Sequence, residues 1–176
     1  MKRHFIIAYS SLNDMLFKIG DVISQINAAL LLSHGIRRNV EITIILVKEW
    51  AEIRIVGRYI KNYRPDFESA SGLLRRTLVK GECKGISFRR IHYNKVNVGS
   101  DIVIVINRRG LKVNYILNTI KHKVKDKITI LLPEAIKFIS TSKRSEVYYV
   151  NIDENLYTND QIITVLNILL DNIGLR

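Results

Sequence analysis

The chain has 176 residues, 47% of them apolar and 25% charged, a balance that fits one folded domain and excludes a disordered or fibrous protein. A single cysteine, Cys83, excludes an intrachain disulfide and a multi-cysteine metal site. Lysine and arginine number 28 against 16 acids, a net charge of +12, so a polyanion, and nucleic acid first, is the expected partner.

In chain order, Phe5 to Tyr9 reads as a first strand and Ser11 to Phe17 as a polar connection. Val22, Ile23, Ile26, Ala29, Leu30 and Ser33 recur at spacings of three and four, which predicts a helix from Ile19 to Ser33 with Gly35 as its C-cap glycine. The β-branched run Glu41 to Val47 predicts a buried strand, and Glu52 to Gly57 a second one in a hairpin with it. Pro65 blocks helix at Arg64 and suits a helix start just after; Ser69 to Leu78 then reads helical, with Leu73 and Leu74 inward and Arg75 and Arg76 outward. Gly81 to Gly85 is a turn, Ile86 to Ile91 an edge strand, Asp101 to Ile106 an apolar strand, and Gly110 to Ile120 an amphipathic helix. Lys121 to Lys127 is a basic turn before the strand Ile128 to Leu132, and Pro133 starts a short helix or turn. Glu146 to Ile152 is a last strand. Asn159 to Asn172 is a last amphipathic helix, whose face of Ile162, Val165, Leu166 and Leu169 suits a partner as well as the core. Strands alternating with helices predict an α/β fold: a mostly parallel sheet flanked by helices, in one domain over 1–176 with a basic elaboration at about 48–92.

The longest apolar runs are far shorter than a membrane span, and no secretory signal is read at the start, so the expected location is cytoplasmic. No phosphate-cradling glycine loop and no nucleophile elbow occurs, and the four histidines are too dispersed for a helix-borne zinc pair, so no metal is expected. What stands out is Ser33-His34-Gly35-Ile36-Arg37-Arg38, a serine, a histidine and two arginines at a helix-to-strand junction where an anion could sit.

This stretch, preceded by Asn27-Ala28 and followed by Asn39-Val40, resembles the archaeal tRNA pseudouridine-54 N1-methyltransferase family of the SPOUT (α/β-knot) superfamily. A second segment, Arg64-Pro65-Asp66-Phe67-Glu68-Ser69 through Leu73-Leu74-Arg75-Arg76, is similar to that family's Arg-Pro-Asp-Glu-Arg-Ser…Leu-Leu-Arg-Lys. The resemblance implies a SPOUT-type fold with a C-terminal trefoil knot, a homodimer, and transfer of a methyl group from S-adenosylmethionine (SAM) to N1 of a pseudouridine in the tRNA T-loop. It implies a phosphate-binding surface at Arg37, Arg38, Arg64, Arg75 and Arg76, and proton-acceptor candidates at His34 and Asp66. Each of those two has a plainer role as a helix cap.

SAM would be held by three loops that follow strands, matched here by Ile106 to Gly110, by Leu132-Pro133-Glu134, and by Asn151, Ile152, Asp153, Glu154, Asn155 and Leu156. Relatives carry Leu-Gly-Asp-His-(Ile/Leu)-Gly-Phe in the second loop, where this chain has Leu132-Pro133-Glu134-Ala135-Ile136-Lys137-Phe138. Both glycines are gone, and proline removes a backbone donor. That departure keeps a second reading open: a catalytically degenerate SPOUT paralogue that binds RNA or serves as a dimer partner. A third is a dimeric structural protein that is basic for solubility.

Overall fold

The structure, a computed structural model, describes residues 1–91, 96–152 and 157–174. From the N-terminus run β1 (Lys2–Tyr9), α1 (Leu12–Phe17), α2 (Ile19–Leu30), the two-residue strands β2 (Leu31–Leu32) and β3 (Gly35–Ile36), and β4 (Val40–Leu46). Then come β5 (Ala51–Val56), α3 (Phe67–Lys80), β6 (Glu82–Cys83) and β7 (Ile86–Arg90). The remainder is β8 (Val96–Val98), β9 (Ile102–Lys112), α4 (Val113–Ile120), β10 (Lys127–Leu131), a 3-10 helix (Pro133–Phe138), β11 (Ile139–Thr141), β12 (Glu146–Asn151) and α5 (Asn159–Asn172).

One eight-stranded sheet has the order β12-β9-β10-β1-β4-β5-β7-β6. From β12 to β4 every pairing is parallel, and from β4 outward every pairing is antiparallel. The interior parallel strands β4, β9 and β10 are rich in Ile, Val and Leu because both faces of the sheet are covered there, whereas β12 at the edge is mostly exposed. On one face Phe5, Ile7, Ile42, Ile44, Ile104 and Ile130 form the main core with the apolar stripes of the five α-helices. On the other, Ile6, Ile45, Val103, Val105 and Leu131 lie under Ala135, Ile139 and Val98, contributed by the 3-10 helix and the β8–β11 ribbon. Each fully buried isoleucine in these layers contributes roughly 1.5–3 kcal/mol.

Several boundaries differ from the sequence reading. Leu12–Phe17 is a helix, not a connection; Ser11 caps it by accepting the Asp14 N–H, and six residues are too few to show a period. Helix α2 stops at Leu30 rather than Ser33, so Gly35 is not its cap. The chain turns through the β2–β3 hairpin instead, and the Arg37 N–H closes on the Leu30 carbonyl at 2.7 Å. Strand β9 continues to Lys112, which delays α4 to Val113. β6 lies outside β7 at the sheet edge, and the β8–β11 ribbon had no signal, since two three-residue strands carry no alternation.

Candidate functional site

Because β1, β4, β9, β10 and β12 run the same way, their carboxyl ends collect on one rim, where ligands of open α/β sheets bind. The described parts of the segments expected to hold a cofactor, 106–110, 132–134 and 151–152, follow or interrupt those strands near that rim. In the first, β9 and β12 pair up to Val105–Tyr149, then resume at Leu111–Val150, so residues 106–110 loop out. Gly110 makes the return possible: a Cβ there would lie 2.6 Å from backbone atoms of Tyr149 and Val150. The Asn107 side chain braces the excursion by accepting the Arg109 N–H at 2.8 Å.

Ile106, Leu132 and Ile152 are 3%, 1% and 6% exposed and belong to the main core, so they can meet a ligand only through their backbone. Pro133, half-buried, and Asn151, exposed, complete the described part of this rim. Asp153, Glu154, Asn155 and Leu156 lie outside the described residues.

The second loop differs from a glycine-rich cradle in a specific way. The Leu132 N–H is already donated to the Ile6 carbonyl at 3.0 Å, Pro133 has none, and the Ala135 N–H returns to the Leu132 carbonyl at 2.9 Å. This segment offers the half-buried ring of Pro133 in place of a row of donors.

The arginine-rich motifs sit at the other end of the sheet. Ser33, His34 and Arg38 are exposed on the β2–β3 hairpin and the turn before β4, at the amino end of that strand. Seven residues of β4 separate the two rims, about 23 Å of strand. Asn27 joins the two sequence motifs: it accepts from the Tyr63 hydroxyl at 2.7 Å and donates to the Pro65 carbonyl at 3.2 Å. Arg64, Arg75 and Arg76 are exposed nearby on α3 and the turn leading into it.

Arg37 is not part of the exposed basic surface. Its guanidinium turns inward to the Asp171 carboxylate at 2.7 Å, and Arg3, fully buried, meets the other oxygen at 2.6 Å. Arg3 also donates to the Asn167 side chain at 2.9 Å, and Asn167 donates to the Ala28 and Ala29 carbonyls at the end of α2. Burial alone raises the Asp171 carboxyl, but the hydrogen bonds from Arg3 and Arg37 outweigh it and hold it below the ordinary aspartate value. Gly57 packs so closely that a Cβ there would lie 2.1 Å from the Arg37 carbonyl oxygen. The cluster ties α2, β1, the junction before β4 and α5 together. Sequence gave no sign of it, since Asp171 lies 134 positions from Arg37.

Asp66 is the N-cap of α3. Its carboxylate accepts the Ser69 N–H at 2.8 Å, and that bond holds its pKa below the usual range, which weakens it as a base. His34 and Asp66 both lie at the far rim, so one chain does not bring either to the loop cluster. The apolar face of α5 is also committed: Ile162 and Leu166 are buried in the core and Leu169 packs against it. Among the described residues no group of His, Cys, Asp and Glu could hold a metal ion, and no helix is long and apolar enough to cross a membrane.

No protein-family model matches the sequence, and no curated protein matches it. Among solved structures, Nep1 from Archaeoglobus fulgidus bound to S-adenosylhomocysteine superposes with a TM-score of 0.62 at 10% identity, covering 100% of both chains. The likeness is one of fold: the chain shares the α/β architecture of that structure over its whole length.

Proposed function

We propose that the chain is a SAM-dependent RNA methyltransferase that methylates N1 of a pseudouridine in the T-loop of tRNA. The observation that carries this is the full-length likeness of fold to a protein crystallised with S-adenosylhomocysteine, joined to a rim where three strand ends present backbone. The residues present fit a nucleoside-like ligand at two of the three loops. The excursion at 106–110 and the pair Asn151-Ile152 offer backbone beside core-facing Ile106 and Ile152, while half-buried Pro133 gives an apolar wall for a flat base. SAM would supply an activated methyl group there. The chain's own work is to exclude water with that wall, aim the acceptor nitrogen, and let its proton leave.

The substrate reading rests on Arg38, Arg64, Arg75 and Arg76, which are exposed and suited to phosphates. Since these lie one strand length from the loops, a homodimer that brings one chain's basic rim to the other's loop cluster is the assembly we infer. Leu111, Tyr115, Val147 and Tyr149, exposed on or beside edge strand β12, are its candidate contacts. In that arrangement His34 is a better proton acceptor than Asp66, whose oxygen is occupied by the α3 cap. A knotted C-terminal path belongs to the same proposal.

Transfer of labelled methyl from SAM to matched tRNA transcripts, with pseudouridine or uridine in the T-loop, tests it. The expected result is label only in the pseudouridine transcript. Label in neither, with tRNA still bound, supports the degenerate paralogue, which the loss of both loop glycines favours.

A further inference from the structure

A cleft of about 750 Å³ opens between α3 and the turn before it, away from the loop cluster. Arg64, Arg76 and Lys84 line it, with Glu68 as the one acid. None of the three cations makes a side-chain hydrogen bond or an ion pair among the described residues; Asp66 is a more distant electrostatic neighbour of Arg64. Three like charges around one hollow repel one another, and an anion in it relieves that.

The wall is built, not incidental. The Lys61 N–H donates to the Lys84 carbonyl at 3.2 Å, and Gly85, at φ 86°, lies so close to Tyr59 and Ile60 that a Cβ there would meet their backbone at 2.4 Å. Asn62 and Lys84 both hold positive φ, 55° and 48°. This clamp holds the backbone of Tyr59, whose side chain is 61% exposed, against the turn that carries Lys84, at the margin of the cleft. A free small anion would be held weakly at so open a site, whereas a polyanion gains from counterion release. Cations beside an exposed aromatic match a nucleic-acid backbone with one base stacked.

We propose that this cleft is an RNA anchor: Arg64, Arg76 and Lys84 take backbone phosphates and Tyr59 stacks a neighbouring unpaired base. This rests on the RNA reading above and adds Lys84 and Tyr59 to it. The anchor works apart from the loop cluster, so it governs capture of RNA and leaves cofactor binding alone.

The test is filter binding of unfractionated tRNA across a salt series, with melting curves to verify folding. Changing Arg64, Arg76 and Lys84 together to glutamine should make the slope of log affinity against log salt shallower by about 2. Tyr59→Ala should weaken binding about 5- to 150-fold with the slope unchanged. A triple variant that keeps the parent slope, while Arg38→Gln reduces it, overturns the anchor and leaves the RNA reading standing. A parent slope near zero removes the RNA reading itself. Equal displacement of tRNA by polyglutamate and by competitor RNA also overturns the proposal, since it marks a surface for acidic proteins.

Discussion

Replacing Asp171 with alanine removes both acceptor oxygens from the cluster that holds α5 to the rest of the fold. Arg3 is left with no exposed side-chain surface and Arg37 with 14%. Breaking a buried pair from one side costs about 3–5 kcal/mol, because the remaining charge stays desolvated. Asn167 still accepts from Arg3 and Arg37 lies nearer the surface, so the lower end, about 3 kcal/mol, is expected. For a chain of this size that lowers the melting temperature by about 6–12 °C in a calorimetric scan. The effect has a pH signature. Asp171 sits below its ordinary value of 3.8 in the folded chain, so its contribution is complete above that value and fades as pH falls through the lower folded one. The gap between parent and variant should therefore close in acid. A shift below about 2 °C at neutral pH would refute the claim that this cluster fastens α5.

Burial pushes His4 down to about 3, so its ring is neutral at pH 7 and its 3.4 Å approach to Glu41 is not an ion pair there. Between the ordinary value of 6.5 and about 3 the unfolded chain binds the proton and the folded chain does not, so stability falls as pH falls. Urea unfolding should show a loss of up to about 1.4 kcal/mol per pH unit in that window, flattened in His4→Asn; an unchanged slope in the variant contradicts the assignment. Arg38→Gln should make the salt dependence of tRNA binding shallower by about 0.7, whereas Arg37→Gln should lower the melting temperature and leave the salt slope alone; the reverse pattern would restore Arg37 to the surface. Gly110→Ala forces β9 and β12 apart at the loop cluster and should weaken S-adenosylhomocysteine about tenfold or more in equilibrium dialysis; unchanged affinity would take the 106–110 excursion out of the site.

The interior parallel strands β4, β9 and β10 are legible because they are mostly β-branched, and α5 because Ile162, Ile163, Leu166 and Leu170 keep one helical stripe. The end of α2 was misread since Leu31 and Leu32 continue its apolar composition, and only the hydrogen bond from Arg37 to Leu30 shows where the helix stops. The basic motifs were visible as residue types, but not their depth. Arg37 and Arg38 are adjacent in sequence, yet one faces Asp171 and the other solvent, a difference set by α5 from more than a hundred positions away. Nothing local in the sequence links Lys84 to Tyr59; the close approach of Gly85 to the Tyr59 backbone does.

Calorimetric titration of the chain with S-adenosylhomocysteine bears most directly on the account. It should give a saturable heat with one site per chain, diminished by Gly110→Ala and untouched by the triple glutamine change at Arg64, Arg76 and Lys84. Absence of any heat from the parent chain, or a heat that vanishes with the cleft variant and survives Gly110→Ala, would contradict a methyl-donor site at the strand ends.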